Sequence, residues 1–268
     1  MPKFNLLSKA TGLALVGTLA LLGQASADMT QKGFEVAARS DRSDRGFADS
    51  LVDMQMVLTN AAGQVTERNL ELRTFEIPDE QKGDLSMIVF SDPADIEGTA
   101  LLSHARILDP DDQWLYLPAL KRVKRISSVN KSGPFVGSEF AFEDFTSQEL
   151  NKFTYTWLRE EACGEFMCDV VERVPAYEHS GYVRQVSWTD QSHYQTRRVE
   201  FFDRGNEHLK TLVMEDYKLY EDFIWRPHLM RMENHKTGKK TDLVYGAYAF
   251  KTGLTPKDFQ KGVLKRLR

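Results

Sequence analysis

Cysteine is almost missing from this 268-residue chain, which has only Cys163 and Cys168. That excludes a framework of several disulfides as the source of its stability. Long apolar runs are also missing. No stretch reaches the roughly 18 uninterrupted apolar residues that a comfortable membrane-spanning helix needs. There is no Gly-rich phosphate loop, nucleophile elbow or paired-histidine metal helix. The six histidines, at 104, 179, 193, 208, 228 and 235, are scattered over separate segments. No nucleophile, base and orienting group can be assembled from them, so the sequence offers no catalytic residues. Excess positive charge is absent too, with 35 basic against 39 acidic residues. That balance argues against nucleic acid as a partner. No internal repeat, low-complexity linker or break in composition divides the chain.

The N-terminus carries an address. Lys3 and Lys9 make a positive region, Leu13 to Leu22 a short apolar run, and Ala25-Ser26-Ala27 a small-residue cleavage site. This is the pattern of a cleavable secretory signal over residues 1–27. No cysteine lies near the cleavage site, so no lipid-attachment signal is expected. The mature chain, 28–268, loses two lysines and no acid, and its charge moves from −4 to −6. Its length and ordinary apolar fraction support one substantial core in a single domain. In an oxidising compartment Cys163 and Cys168 favour pairing across a tight hairpin tip, Gly164 to Met167. A metal site is the sharper alternative, weakened by the lack of a clustered histidine pair. Asp109, Asp111 and Asp112 form an acidic turn around Pro110, without the distal acid of a calcium loop. No metal or cofactor is expected.

Past a short helix at Met29 to Ser40, the hydrophobic period changes from helical to alternating. Val52, Met54, Met56 and Leu58 alternate with polar residues, the pattern of a strand with one buried face. Asn60-Ala61-Ala62-Gly63 reads as a turn, and Val65 to Ile77 as the returning strand. Strands are expected at Leu85–Phe90, Ala100–Leu108 and Trp114–Leu117. Phe153, Tyr155 and Trp157 begin another, with further strands to Phe250 at roughly 10–15-residue spacing. Near the C-terminus, Thr255-Pro256-Lys257-Asp258 resembles a helix start, with an N-cap, Pro at N1 and an acid at N3. Many short antiparallel strands argue for a sandwich or barrel.

The densest stretch lies between Trp114 and Phe145. Trp114-Leu115-Tyr116-Leu117 ends at Pro118 and is followed by the basic cluster Lys121, Arg122, Lys124 and Arg125. A loop with Gly133, Pro134 and Gly137 then carries Phe135, Phe140, Phe142 and Phe145. So many phenylalanines in a glycine-punctuated loop imply a flap folded over an apolar surface, with Gly133 and Gly137 as plausible hinges. The basic cluster has three readings: charge guarding a strand edge, a dock for an acidic partner, or attraction to anionic head groups. Glu139, Glu143 and Asp144 lie close enough in sequence to neutralise it.

These same residues carry a resemblance. Trp114-Leu115-Tyr116-Leu117-Pro118, Arg122 to Ile126, and Gly137-Ser138-Glu139-Phe140 leading to Glu143-Asp144-Phe145 resemble the periplasmic outer-membrane lipoprotein-sorting proteins, relatives of the lipoprotein carrier superfamily. The resemblance implies a mainly β, α+β fold: an incomplete antiparallel β-barrel with a few helices over its concave side. It also implies a periplasmic carrier of a lipid, acyl chain or other hydrophobic ligand, working with an inner-membrane lipid exporter and touching the membrane transiently. A non-lipid-binding accessory subunit of an envelope transport complex is the other reading.

Candidate cavity residues are Met54, Met56 and Leu58, whose methionines suit flexible chains. Trp114, Tyr116, Phe153, Tyr155 and Trp157 join them. Alternation alone does not separate a barrel packed by its own side chains from one that holds a ligand.

Overall fold

The structure, a computed structural model, describes residues 14–79, 82–107, 109–147 and 149–267, with side chains from residue 26. Lys3, Lys9 and Leu13 of the expected signal, and Leu108 at the end of an expected strand, lie outside the described residues. No described helix is long and apolar enough to cross a membrane.

One helix, α1 (Ala14–Asp44), precedes the strands. It outruns the expected segment at both ends. Near its end Asp41 bonds Arg45 as an i,i+4 pair at 2.9 Å. The chain turns out at Gly46, whose φ of +93° suits glycine alone. Glu76 receives the freed amides of Gly46 and Ala48 at 2.9 and 3.0 Å.

Fourteen strands follow: β1 (Asp49–Thr59), β2 (Val65–Phe75), β3 (Leu85–Asp92), β4 (Ala100–His104), β5 (Asp112–Leu117), β6 (Arg122–Ile126), β7 (Phe153–Cys163), β8 (Phe166–Pro175), β9 (Tyr182–Asp190), β10 (Thr196–Asp203), β11 (His208–Tyr220), β12 (Ile224–Asn234), β13 (Lys240–Tyr245) and β14 (Ala249–Phe250). They make one antiparallel sheet from two meanders. The β1–β6 and β7–β13 runs are joined where β1 pairs with β13, and β14 adds to β1. Strands β6 and β7 are the two edges and do not pair with each other, so the barrel is incomplete. Turn chemistry sets the register locally. At the β1–β2 hairpin Asn60 Oδ1 accepts from the amides of Ala62 and Gln64, at 2.9 and 3.0 Å, and Gly63 takes positive φ. At the β7–β8 tip the Cys163–Cys168 disulfide forms, as expected, around a turn shortened to Gly164-Glu165.

The topology dictates the next feature. Residues 127–152 run from one sheet edge to the other and must cross the concave side. That crossing is the phenylalanine-rich segment. Phe135 and Phe140 are almost wholly buried there, in one cluster with Val52, Met54 and Met56 of β1, Leu70 of β2 and Phe90 of β3. Helix α1 covers the other half of the concave side, packing Val36 with Phe153, Tyr155 and Val171. Gly33 sits where a β-carbon would meet the β7 backbone at Trp157 N, 2.6 Å away, so no side chain fits beneath the helix at that point.

The C-terminus departs from expectation. A 3-10 turn, Pro256–Phe259, follows the Thr255 cap, and separate turns closed by Val263 on Gln260 and Arg266 on Val263 take the place of an α-helix. Phe259 and Leu264 are both fully buried, on the convex face against Met87, Leu102, Trp114 and Tyr116. In an α-helix, residues five apart point about 140° from each other. Burial of both side chains on one flat surface therefore prevails over the helix-start signal, and Gly262 weakens a helix further.

Candidate functional site

The concave side is divided. Beneath the crossing segment lies the buried cluster built around Phe135 and Phe140. Beneath α1 lies a partly open cavity of about 500 Å³, within the range of about 300–1,000 Å³ usual for ligand sites. One wall is apolar: Leu72 from β2, Val199 and Phe201 from β10, Leu212 and Met214 from β11, Met230 from β12 and Leu243 from β13. Beside it on the same sheet, β8 and β9 contribute Arg173, Gln185, Ser187 and Thr189, with Gln185 and Ser187 in register with Phe201 and Val199. Val36, Ala37, Ser40 and Asp41 of α1 form the roof, and Phe140 and Phe145 the end against the crossing segment. Strand alternation explains the walls, since Leu212 and Met214, or Gln185, Ser187 and Thr189, are two residues apart and share a face.

The residues singled out by sequence are thereby sorted. Of the aromatic and methionine candidates, Tyr155 lines the cavity and donates its hydroxyl to Leu150 O at 2.8 Å. Met54 and Met56 are packed under the crossing segment, with Leu58 against the same cluster. Trp114 and Tyr116 point to the convex face under Phe259. Phe153 and Trp157 pack under α1, where Lys32 Nζ sits 3.6 Å from the Trp157 ring centre. Met214 and Met230 hold the place at the cavity that sequence assigned to Met54 and Met56. They lie on strands with the same alternation, which was the available signal. Nothing in the sequence placed Arg173 there.

The crossing segment is held from every side. Its four phenylalanines contact one another, with ring centres as close as 4.6 Å for Phe135 and Phe145, and Phe135 also meets Phe90. Asp144 receives Lys210 Nζ at 2.7 Å and the Tyr182 hydroxyl at 2.9 Å, the ion pair being almost fully buried. Glu143 accepts from Tyr177, Ser180 and the Gly181 amide. Glu139 accepts from Asn234, and its own amide donates to Thr241. Arg68 donates to the Val136 carbonyl. Gly137, at φ +78°, shapes the tight turn between Pro134 and Ala141.

The three nearby acids are thus spent inside the fold and do not neutralise the basic cluster. Lys121, Arg122 and Lys124 stand exposed at edge strand β6 with no ion pair among the described residues, while Arg125 pairs with Asp112 at 2.5 Å. The acidic turn is likewise spent on structure, Asp111 on Lys152 and Asp112 on Arg106 and Arg125. No described group of His, Cys, Asp and Glu is arranged to hold a metal.

Charge under α1 is concentrated near its end. Arg45 pairs with Asp41 and, at 3.3 Å, with the buried Glu149. Asp84 accepts from the Ile77 amide at 2.8 Å, yet burial, reinforced by Glu149 and Glu76, pushes its carboxyl up to about 7. The folded state therefore holds this proton more tightly than the unfolded chain, whose carboxyl releases it near 3.8. Stability is lost as pH rises between those values and the loss is complete above about 7. Asp84→Asn, which cannot ionise, should match the parent at pH 4 and melt higher at pH 8, where it is more stable by on the order of a few kcal/mol. Equal melting differences at both pH values would refute this origin. On β8, burial holds the Arg173 guanidinium below its usual value.

Comparison with known proteins follows the same lines. A family model described as "Uncharacterized protein" matches residues 82–266. No curated protein matches the chain. Among solved structures, one named as an outer membrane lipoprotein-sorting protein domain, from Vibrio parahaemolyticus, is 47% identical. The alignment covers 88% of this chain and all of that one, with a TM-score of 0.86. A DUF1329 family protein from Desulfovibrio piger is 27% identical over 88% of this chain and 99% of that one, with a TM-score of 0.83. A LolA superfamily protein from Nitrosomonas europaea, 19% identical over 87% and 98% of the two chains, shares the fold with a TM-score of 0.69. An incomplete barrel closed by a crossing segment and a helix, at this identity over nearly the whole structure, places the chain in the outer-membrane lipoprotein-sorting protein family.

Proposed function

We propose that the protein is a periplasmic carrier, not an enzyme. It binds a lipid, a lipoprotein acyl chain or a similar hydrophobic molecule and moves it between an inner-membrane exporter and the outer membrane. The observation that carries this reading is the cavity under α1, with its continuous apolar wall from Val199 to Leu243. Burying a chain there yields about 25 cal/mol per Å² of apolar surface removed from water, enough for firm binding without a covalent step. Met214 and Met230 adapt in shape to chains of differing length and unsaturation. The Vibrio parahaemolyticus relative, named for lipoprotein sorting, supports both the cargo class and the compartment. So does the signal-like N-terminus, residues 1–27. Lys121, Arg122 and Lys124, exposed on an otherwise acidic protein, are the dock for exporter or membrane surface.

Native mass spectrometry of residues 28–268, purified gently from periplasm, tests the reading. A lipid mass released on denaturation is expected. An apoprotein that stays clean after incubation with membrane lipid extract would overturn it in favour of an accessory subunit.

A further inference from the structure

Three arginines line the cavity, and they are not equivalent. Arg45 is neutralised by Asp41 and Glu149, and Arg226 by Asp44. Arg173 has no acid. Among the described residues its only hydrogen bond runs from Nε to Gln185 Oε1 at 2.8 Å, and it forms no ion pair. Its guanidinium carbon lies 5.0 Å from the Phe153 ring centre. Two acids of the crossing segment that line the same cavity are committed elsewhere: Asp144 to Lys210 and Tyr182, and Glu143 to Tyr177, Ser180 and Gly181. Its neighbours on the wall, Gln185, Ser187 and Thr189, are polar but neutral. Arg173 is half-buried in the cavity wall, and a cation partly removed from water is stabilised by an anion placed beside it. The paired terminal nitrogens of arginine match the two oxygens of a carboxylate or phosphate.

We propose that Arg173 anchors the anionic head group of the cargo, a carboxylate or phosphate carried on an amphiphile whose chain lies along the apolar wall. The lining is bipolar along the sheet, with Arg173 and Gln185 on β8 and β9 and Leu212, Met214 and Leu243 on β11 and β13. This inference rests on the carrier reading and adds the charge of the ligand to it. The alternative is a packing role, in which Arg173 only fills space beside Phe153.

The test is a binding comparison on the mature protein by titration and native mass spectrometry. It sets oleate against oleyl alcohol, which has the same chain without charge, and dioleoylphosphatidylglycerol against dioleoylglycerol. Each charged ligand should bind about tenfold tighter than its neutral partner, the scale of one charged hydrogen-bonded contact. The two pairs separate a carboxylate head from a phosphate head. Arg173→Gln should abolish the preference while neutral ligands bind as before, and Arg173→Lys should retain part of it. If the parent protein binds charged and neutral ligands equally, the inference falls and the carrier reading stands; this comparison needs no variant to fold. Retention of the full preference in a folded R173Q protein would also overturn it. Displacement of oleate by millimolar inorganic phosphate would overturn the amphiphile form and leave a site for a free anion. If no amphiphile binds at all, the carrier reading itself fails.

Discussion

Replacing Asp144 by alanine should destabilise the protein by about 3–5 kcal/mol, because it strands the Lys210 ammonium inside the barrel. Both side chains of the pair are less than a tenth exposed, and Lys210 also donates to the Glu139 carbonyl. The attraction between the two charges matters less than the cost of leaving one of them buried alone. A second variant checks this origin: Asp144→Leu with Lys210→Met removes both charges and should recover most of the loss. Urea denaturation measures the difference. Hydrogen exchange should show residues 131–146 losing protection in the single variant, since Asp144 holds the crossing segment through Lys210, Tyr182 and the Ala141 amide. A loss below about 1 kcal/mol would mean that water reaches the pair as at a surface. The segment would then be a mobile flap and not a plug.

Phe135→Ala should cost about as much, roughly 3–5 kcal/mol, by a different route. The ring is fully buried and touches Phe90, Phe142 and Phe145. The sheet beneath cannot collapse into the space without breaking its own register, so both the transfer and the cavity terms apply. Phe135→Leu, which keeps most of the volume, should lose much less. A small effect of Phe135→Ala in equilibrium unfolding would show that the crossing segment repacks freely.

These expectations rest on features of unequal visibility. The strands were legible because Val52, Met54 and Met56, or Phe153, Tyr155 and Trp157, alternate so cleanly. The hairpins were legible because Asn60, Gly63 and Gly164 stand where the backbone must turn. The folding-back of the phenylalanine loop was legible from composition alone. Strand β6 is not legible in the sequence, because Arg122, Lys124 and Arg125 leave too few apolar residues to show an alternation. The cavity was legible only in part. Tyr155 lies in its wall, but Trp114 and Tyr116 of an equally regular strand turn outward to meet Phe259, some 140 residues later in the chain.

By itself, then, the sequence determined the series of short strands, favoured the bridge between Cys163 and Cys168, and carried the resemblance to the family. Each of these depends on residues within one short stretch of the chain. Tertiary structure alone decided which face of each strand looks inward, and which half of the interior the phenylalanines fill. It also decided which half stays open and which of three arginines is left without an acid. Period-two alternation marks two faces without naming either. What each face meets depends on α1, residues 127–152 and the C-terminal turn, segments far from it along the chain.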